Sequence, residues 1–271
     1  MKPLIIHLNR FPGGKIRALT FSYDDGTRHD RRLIEILDAH GLKGTFHLNS
    51  SRIGQEEYLS PDDLRGLAGR HEISAHGVTH PNLDRLPAEQ LAWEILEDRR
   101  ALEEFAGQPV RGMSYPFGVH SPEVRAVLPS LGIRYSRTGD SHGRFHLPSD
   151  WLQWQPTCHH RLATVEKWAE FIEVKNWGRP LLFYVWGHSF EFPRDQNWDL
   201  IERFAERAAR DADQVWFATN LEIYDYCQVV NRLEFSVDRR LVRNPSAAPA
   251  WISCNGEAVE IPGGETRTLA G

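Results

Sequence analysis

Apolar positions along the chain switch between two periodicities, and the switching predicts the fold. Residues 16–21, with Ile16, Ala18, Leu19 and Phe21, form an apolar run that stops at Asp24-Asp25-Gly26 and reads as a buried strand. Residues 44–49, 71–75, 110–115, 134–137, 181–186 and 215–218 read the same way. Between these runs the apolar residues fall at helical spacing. Leu33, Ile34, Ile36 and Leu37 precede Gly41, and Leu91, Ile95, Leu102 and Phe105 precede Gly107. Further helices are predicted from Pro61 towards Gly69, where Pro follows a Ser60 cap, and over 122–131, 165–177 and 200–210.

Strands separated by helices of this length predict a parallel sheet built from βα units. Seven or eight units within residues 1–225 predict an α/β fold, a (β/α)7-8 deformed TIM-like barrel; an open doubly wound sheet is the alternative that periodicity leaves standing. Residues 141–160, irregular and rich in His, Pro and Trp, read as a long functional loop. From residue 226 the texture changes to short strand-like runs with an Asn255-Gly256 turn, so 226–271 is expected to be a small antiparallel β appendage.

Composition narrows the function classes. A net charge of −5 over 271 residues without a long basic run argues against a nucleic-acid partner. Cys158, Cys227 and Cys254 lie far apart, which suggests neither a disulfide framework nor a zinc knuckle. The apolar patch in the first ten residues is too short for a signal peptide, and no window reaches membrane-span length. The expectation is a soluble, cytoplasmic protein without a membrane partner, its oligomeric state open and a homodimer among the options.

The candidate chemistry sits at strand ends. Two adjacent carboxylates after a buried strand are costly unless a cation takes them, and neighbours on a strand point different ways, so one could bind a metal while the other moves protons. A solvated Asp-Asp-Gly turn is the plainer alternative for this stretch alone. His76 and His80 follow the third predicted strand at the spacing of one helical turn. Two histidines and a carboxylate make a facial set with positions open for water and substrate. The sequence from Arg111 to Gly118 ends another strand in a Pro-containing turn, and Trp186-Gly187-His188 ends the most apolar one, where His188 suits a catalytic acid.

These pieces, in this order over about residues 16–225, resemble the polysaccharide deacetylase family, the NodB homology group that forms carbohydrate esterase family four. Ser22-Tyr23-Asp24-Asp25-Gly26 resembles the first motif and His76 to His80 the second. The resemblance implies a carbohydrate substrate and one divalent metal, most often Zn2+ with Co2+, Mn2+ or Ni2+ as options, held by Asp25, His76 and His80. It further implies Asp24 as general base, His188 as general acid, Asp150 as the carboxylate holding His188, the Phe117 N–H as oxyanion donor, and Tyr115, Trp151 and Trp186 around the substrate. The sequence departs from the pattern at Ser114, where the family has an arginine that pairs with the base; Arg111 is the nearest replacement. Leu147 replaces the first acid of the fourth motif, and Trp186 replaces a leucine in the fifth.

The implied activity is metal-dependent removal of an N-acetyl group from an N-acetylated amino sugar. Hydrolysis of another non-peptide C–N bond, as in a ureide or cyclic imide, is the first alternative, and a non-catalytic carbohydrate-binding relative is the second. Outside the motifs, His47 reads as a supporting residue. His159 and His160, as neighbours on a strand, are expected to face opposite ways, one buried and one exposed.

Overall fold

The computed structural model describes residues 4–270. Strand β1 (Ile6–His7) belongs to the appendage, and the barrel opens with β2 (Arg17–Asp25), buried at every position except its two ends. There follow α1 (Asp30–Ala39), β3 (Gly44–Leu48), α2 (Pro61–Leu67), β4 (Glu72–Ala75), α3 (Ala88–Ala106), β5 (Gly112–Ser114), α4 (Pro122–Val127) and β6 (Tyr135–Arg137). Then come β7 (Cys158–His159), α5 (Val165–Glu173), β8 (Leu181–Gly187), α6 (Glu191–Asp195), α7 (Trp198–Ala209), β9 (Val215–Phe217) and α8 (Asn220–Asn231). The sheet order is β6-β5-β4-β3-β2-β8-β7, with β9 beside the start of β2, and every pairing in it is parallel. Parallel strands covered by helices on the outside give the near-continuous apolar runs seen in β2 and β8.

The curl is stitched shut on its open side without a full ladder. Trp154 N donates to Ser136 O at 2.9 Å and Thr157 N to Tyr184 O at 2.9 Å, so one segment joins β6 to β8. That segment contains β7, and the stretch expected as loop over 141–160 therefore carries a barrel strand. Two residues are too few to show a period, which hid it. Close packing here depends on Gly112: a Cβ there would lie 2.1 Å from the Tyr135 ring.

Leu19, Phe21, Phe46, Ile95, Phe183 and Phe204 fill the space between sheet and helices, and Tyr135, Trp154 and Tyr184 fill the barrel interior. The predicted Ser60 cap is present, with a reciprocal bond from the Ser60 amide to Asp63 at 2.7 Å. Helix α8 runs through the expected boundary at 225/226. Its Tyr226 hydroxyl donates to Arg10 O at 2.9 Å and accepts from Trp251 N at 3.0 Å, tying barrel to appendage. The appendage holds β10 (Glu234–Phe235), β11 (Leu241–Arg243), β12 (Ala250–Cys254), β13 (Glu257–Ile261) and β14 (Thr266–Thr268) in two antiparallel sheets, β1-β12-β13 and β10-β11-β14. Among the described residues no helix is long and apolar enough to cross a membrane.

Register brings the chemistry together. Asp24 lies opposite His47, Tyr23 opposite Gly187, and Ser114 opposite Arg137, so the carboxyl ends of β2, β3, β5, β6 and β8 form one rim.

Candidate active site

Strand alternation would send Asp24 and Asp25 to opposite faces, but Asp25 has φ 77°, and the turn this imposes opens both carboxylates onto the rim. Gly26 follows at φ 68°, and a Cβ there would come within 2.8 Å of Leu48. Asp24 Oδ2 lies 4.0 Å from His76 Nε2, and Asp25 Oδ1 lies 3.8 Å from the same nitrogen and 3.7 Å from His80 Nε2.

His76 and His80 reach this point from a loop, in contrast to the helical turn that their spacing suggested. His80 sits at φ 63° and Gly77 at φ 79°, and the two imidazoles meet edge to face with centroids 4.7 Å apart. Helix α3 holds the loop in place. Asp98 accepts from His76 N at 2.9 Å and Ser50 N at 2.8 Å, and Glu94 accepts from Thr79 N at 2.9 Å and its hydroxyl at 2.6 Å. Asn49 Nδ2 donates to the carbonyls of His76 and Gly77.

The His76 Nδ1 proton has two acceptors, Ser114 O at 2.9 Å and Ser114 Oγ at 2.7 Å, which leaves the Nε2 lone pair facing the carboxylates. Burial lowers the pKa of His76, and burial followed by His76 brings His80 down to about 4, so both rings are neutral near pH 7. Asp25 Oδ1 is buried without a hydrogen-bond partner among the described residues. Two neutral imidazole nitrogens around an orphaned carboxylate oxygen fit a divalent metal.

Asp24 is held by Ser114 and by Arg137, the second of which the sequence did not single out. Ser114 Oγ donates to its Oδ1 at 2.9 Å and Arg137 Nη2 pairs with its Oδ2, both in full burial. Arg137 also donates to Ser22 Oγ at 3.1 Å, which touches His47 Nε2 at 2.8 Å, and its guanidinium lies over Trp186 at 4.5 Å. Burial alone would raise the Asp24 pKa; Arg137 first, then His76, His47 and His188, hold it well below the usual carboxylate range. The arginine missing from position 114 thus has a counterpart at the register-paired position one strand over. The available sign was a strand-end arginine beside a motif lacking one.

His188 completes the set, its Nε2 4.0 Å from Asp24 Oδ2. Its Nδ1 lies 3.8 Å from Glu191 Oε1, one turn further along the chain. Asp150, expected to hold His188, instead caps the turn at Leu152 N and pairs with Arg125 at 3.0 Å. Arg111 does not reach Asp24: it precedes β5, at the opposite end of the strand from the site, and pairs with Asp225 at 2.6 Å. Tyr115 is buried and donates to Leu152 O at 2.7 Å, and Trp151 packs on Trp154 and Tyr224, so neither side chain belongs to the rim. Trp186 does, 5.9 Å from His188 between ring centroids. Phe117, at φ 59°, sets its exposed ring against His80 at 4.4 Å. The amides of Gly118 and Val119 bond back to Tyr115 O and Pro116 O, whereas that of Phe117 has no internal partner among the described residues.

Residues 12–136 match the family model for polysaccharide deacetylases. A chitooligosaccharide deacetylase of Bradyrhizobium sp. is 26% identical over 120 residues, 43% of this chain and 53% of that protein. One from Azorhizobium caulinodans is 30% identical over 122 residues, 43% of this chain and 56% of that protein. The chain spans about half the length of these curated relatives. A solved Mycobacterium smegmatis structure assigned to the polysaccharide deacetylases is similar at TM-score 0.60 and 21% identity, covering 80% of this chain and 92% of that one. PuuE allantoinase is similar at TM-score 0.62 and 17% identity, covering 81% and 92%. These structural likenesses concern the fold.

Proposed function

We propose, from the premise that residues 12–136 belong to the polysaccharide deacetylase family, that this chain is a metal-dependent hydrolase removing N-acetyl groups from an N-acetylated amino sugar. The observation that carries the reading is the convergence of Asp25, His76 and His80 beside a separately held carboxylate, Asp24, with His188 4.0 Å across from it. A binding protein has no use for that second carboxylate.

Asp25, His76 and His80 would hold the metal, which supplies Lewis-acid polarisation of the acetamide carbonyl and acidifies water. Asp24 takes the proton from the attacking water; Arg137 and Ser114 keep it ionised and aimed. As the water oxygen bonds to the carbonyl carbon, the Phe117 N–H donates to the developing oxyanion. His188 Nε2 gives its proton to the departing nitrogen as the C–N bond breaks, and Glu191 Oε1 lies 3.8 Å from its other nitrogen. Trp186 forms a wall beside the acyl group, larger than the leucine the family carries there.

The test is acetate release from N-acetylglucosamine oligomers by protein loaded with zinc, cobalt or manganese, run beside ring opening of a cyclic ureide and a cyclic imide. Acetate release supports the reading. Ring opening without acetate release replaces it with the other C–N hydrolysis, and oligosaccharide binding without any release replaces it with a binding role.

A further inference from the structure

On the β7–β8 side of the rim lies a second cluster of ligating side chains that the proposed reaction does not use as ligands. His159 ends β7, His160 opens the 3-10 turn behind it, and Glu191 opens α6. Contrary to strand alternation, both imidazoles turn to the same carboxylate, because the chain leaves the strand between them. His159 Nε2 is 2.9 Å and His160 Nε2 3.3 Å from Glu191 Oε2. Among the described residues both nitrogens of His160 and Glu191 Oε2 are buried without a hydrogen-bond partner, while His159 Nδ1 accepts from Arg161 N at 3.4 Å.

His160 is fully buried and cannot swing out to water. Its ring is stacked on Phe192 at 4.2 Å and on Tyr23 at 5.8 Å, and a Cβ at Gly187 would lie 2.1 Å from its Nδ1. An unsatisfied buried polar atom costs about 1–3 kcal/mol, and two of them, His160 Nε2 and Glu191 Oε2, face each other at 3.3 Å. A divalent ion would take the lone pairs of both imidazoles and of the carboxylate at once, since ligand atoms about 3.3 Å apart are what tetrahedral bonds of about 2.1 Å require. The other carboxylate oxygen, Glu191 Oε1, faces His188 Nδ1, Arg194 at 3.5 Å and Arg161 at 3.7 Å, and both guanidiniums are closer to Asp195, at 2.8 and 2.9 Å. Oε2 is thereby left to the two imidazoles.

We propose that His159 Nε2, His160 Nε2 and Glu191 Oε2 form a second divalent-metal site, of the kind that takes zinc, nickel or cobalt, separate from Asp25, His76 and His80. The donor set of two imidazoles and one carboxylate favours these ions over magnesium or calcium. Closing β7 onto α6, the site fastens the segment that completes the barrel.

Untagged, metal-stripped protein titrated with Zn2+ and with Ni2+ under equilibrium dialysis tests it, with bound metal measured per chain. Two equivalents are expected in the wild type and one in Asp25→Ala/His76→Ala. In that double variant, adding His159→Ala or Glu191→Gln should abolish the remaining equivalent and the accompanying rise in thermal midpoint; these two side chains are partly exposed, which avoids emptying the buried His160 position. A double variant that binds no metal overturns the proposal. So does a second equivalent that survives both His159→Ala and Glu191→Gln, since it then belongs to scattered surface histidines. If one equivalent binds in wild type and is lost only in His159→Ala, the second site stands and the Asp25–His76–His80 assignment falls.

Discussion

Arg137→Met removes the positive partner of Asp24 while keeping much of the side-chain volume. The pair is buried on both sides, the side chains 1% and 4% exposed. Deleting one member leaves an uncompensated charge, a cost of about 3–5 kcal/mol, against about 0–1 kcal/mol for a surface pair. Domains of this kind have about 5–15 kcal/mol in total, so the variant should fold with a clearly lower urea midpoint in metal-stripped protein. Turnover should fall by about 10²-fold or more with little change in KM, because the guanidinium aims the base and a base displaced by about 1 Å loses that much. Arg111→Met is the internal control: its pair with Asp225 is 35% and 45% exposed and lies at the far end of β5, so stability should change by no more than about 1 kcal/mol and turnover not at all. The swap Ser114→Arg/Arg137→Ser returns a guanidinium from the register-paired position, about 4.8 Å away across the strands, and should recover part of both losses. If Arg137→Met matches Arg111→Met in midpoint and in turnover, Asp24 does not depend on Arg137 and the reasoning fails.

Asp24→Asn should keep the metal content of the wild type and lose turnover, whereas His76→Ala should lose both; undiminished activity in Asp24→Asn would remove the base assignment. His188→Gln should slow acetamide hydrolysis by about 10²–10⁴-fold yet spare an aryl acetate, whose phenolate leaves without a proton, and equal losses on both substrates would argue against an acid at this position. A pH prediction rests on Glu72, far from the metal ligands, whose carboxyl burial raises from 4.5 to about 7 despite bonds from Tyr135, Leu221 N and Thr45. The folded state binds the proton more tightly here, so stability is complete below pH 4.5 and declines as pH rises to about 7, by about 3 kcal/mol at most. Urea midpoints from pH 4.5 to 8 should show this decline in the wild type and a flatter profile in Glu72→Gln; parallel profiles would exclude Glu72 as its source.

What could be read from the sequence was what is local. Asp24-Asp25, His76 to His80 and Trp186-Gly187-His188 each follow an apolar run, and a run's end fixes which rim its last residues occupy whatever the order of strands in the sheet. Arg111 was misplaced for a reason of length: three residues of strand span about 10 Å, so a residue three before Ser114 sits at the other end of β5. Asp150 was misplaced because short-range capping, through Leu152 N, and Arg125 claim its carboxylate, while the irregular chain before it gives no register. Arg137 and Glu191 were not found because their roles depend on sheet order and on a turn at a strand end. In a sequence, Tyr-Ser-Arg closes a strand equally well whether its arginine faces solvent or a buried aspartate. Once β5 and β6 are known to pair with Ser114 opposite Arg137, the burial of Asp24 demands a cation within reach, and the neighbouring strand offers one at matching height. The carboxylate beside His188 likewise arrives from α6, one helical turn beyond the imidazole, so both the proposed base Asp24 and the proposed acid His188 have a charged neighbour from outside the motifs that announce them.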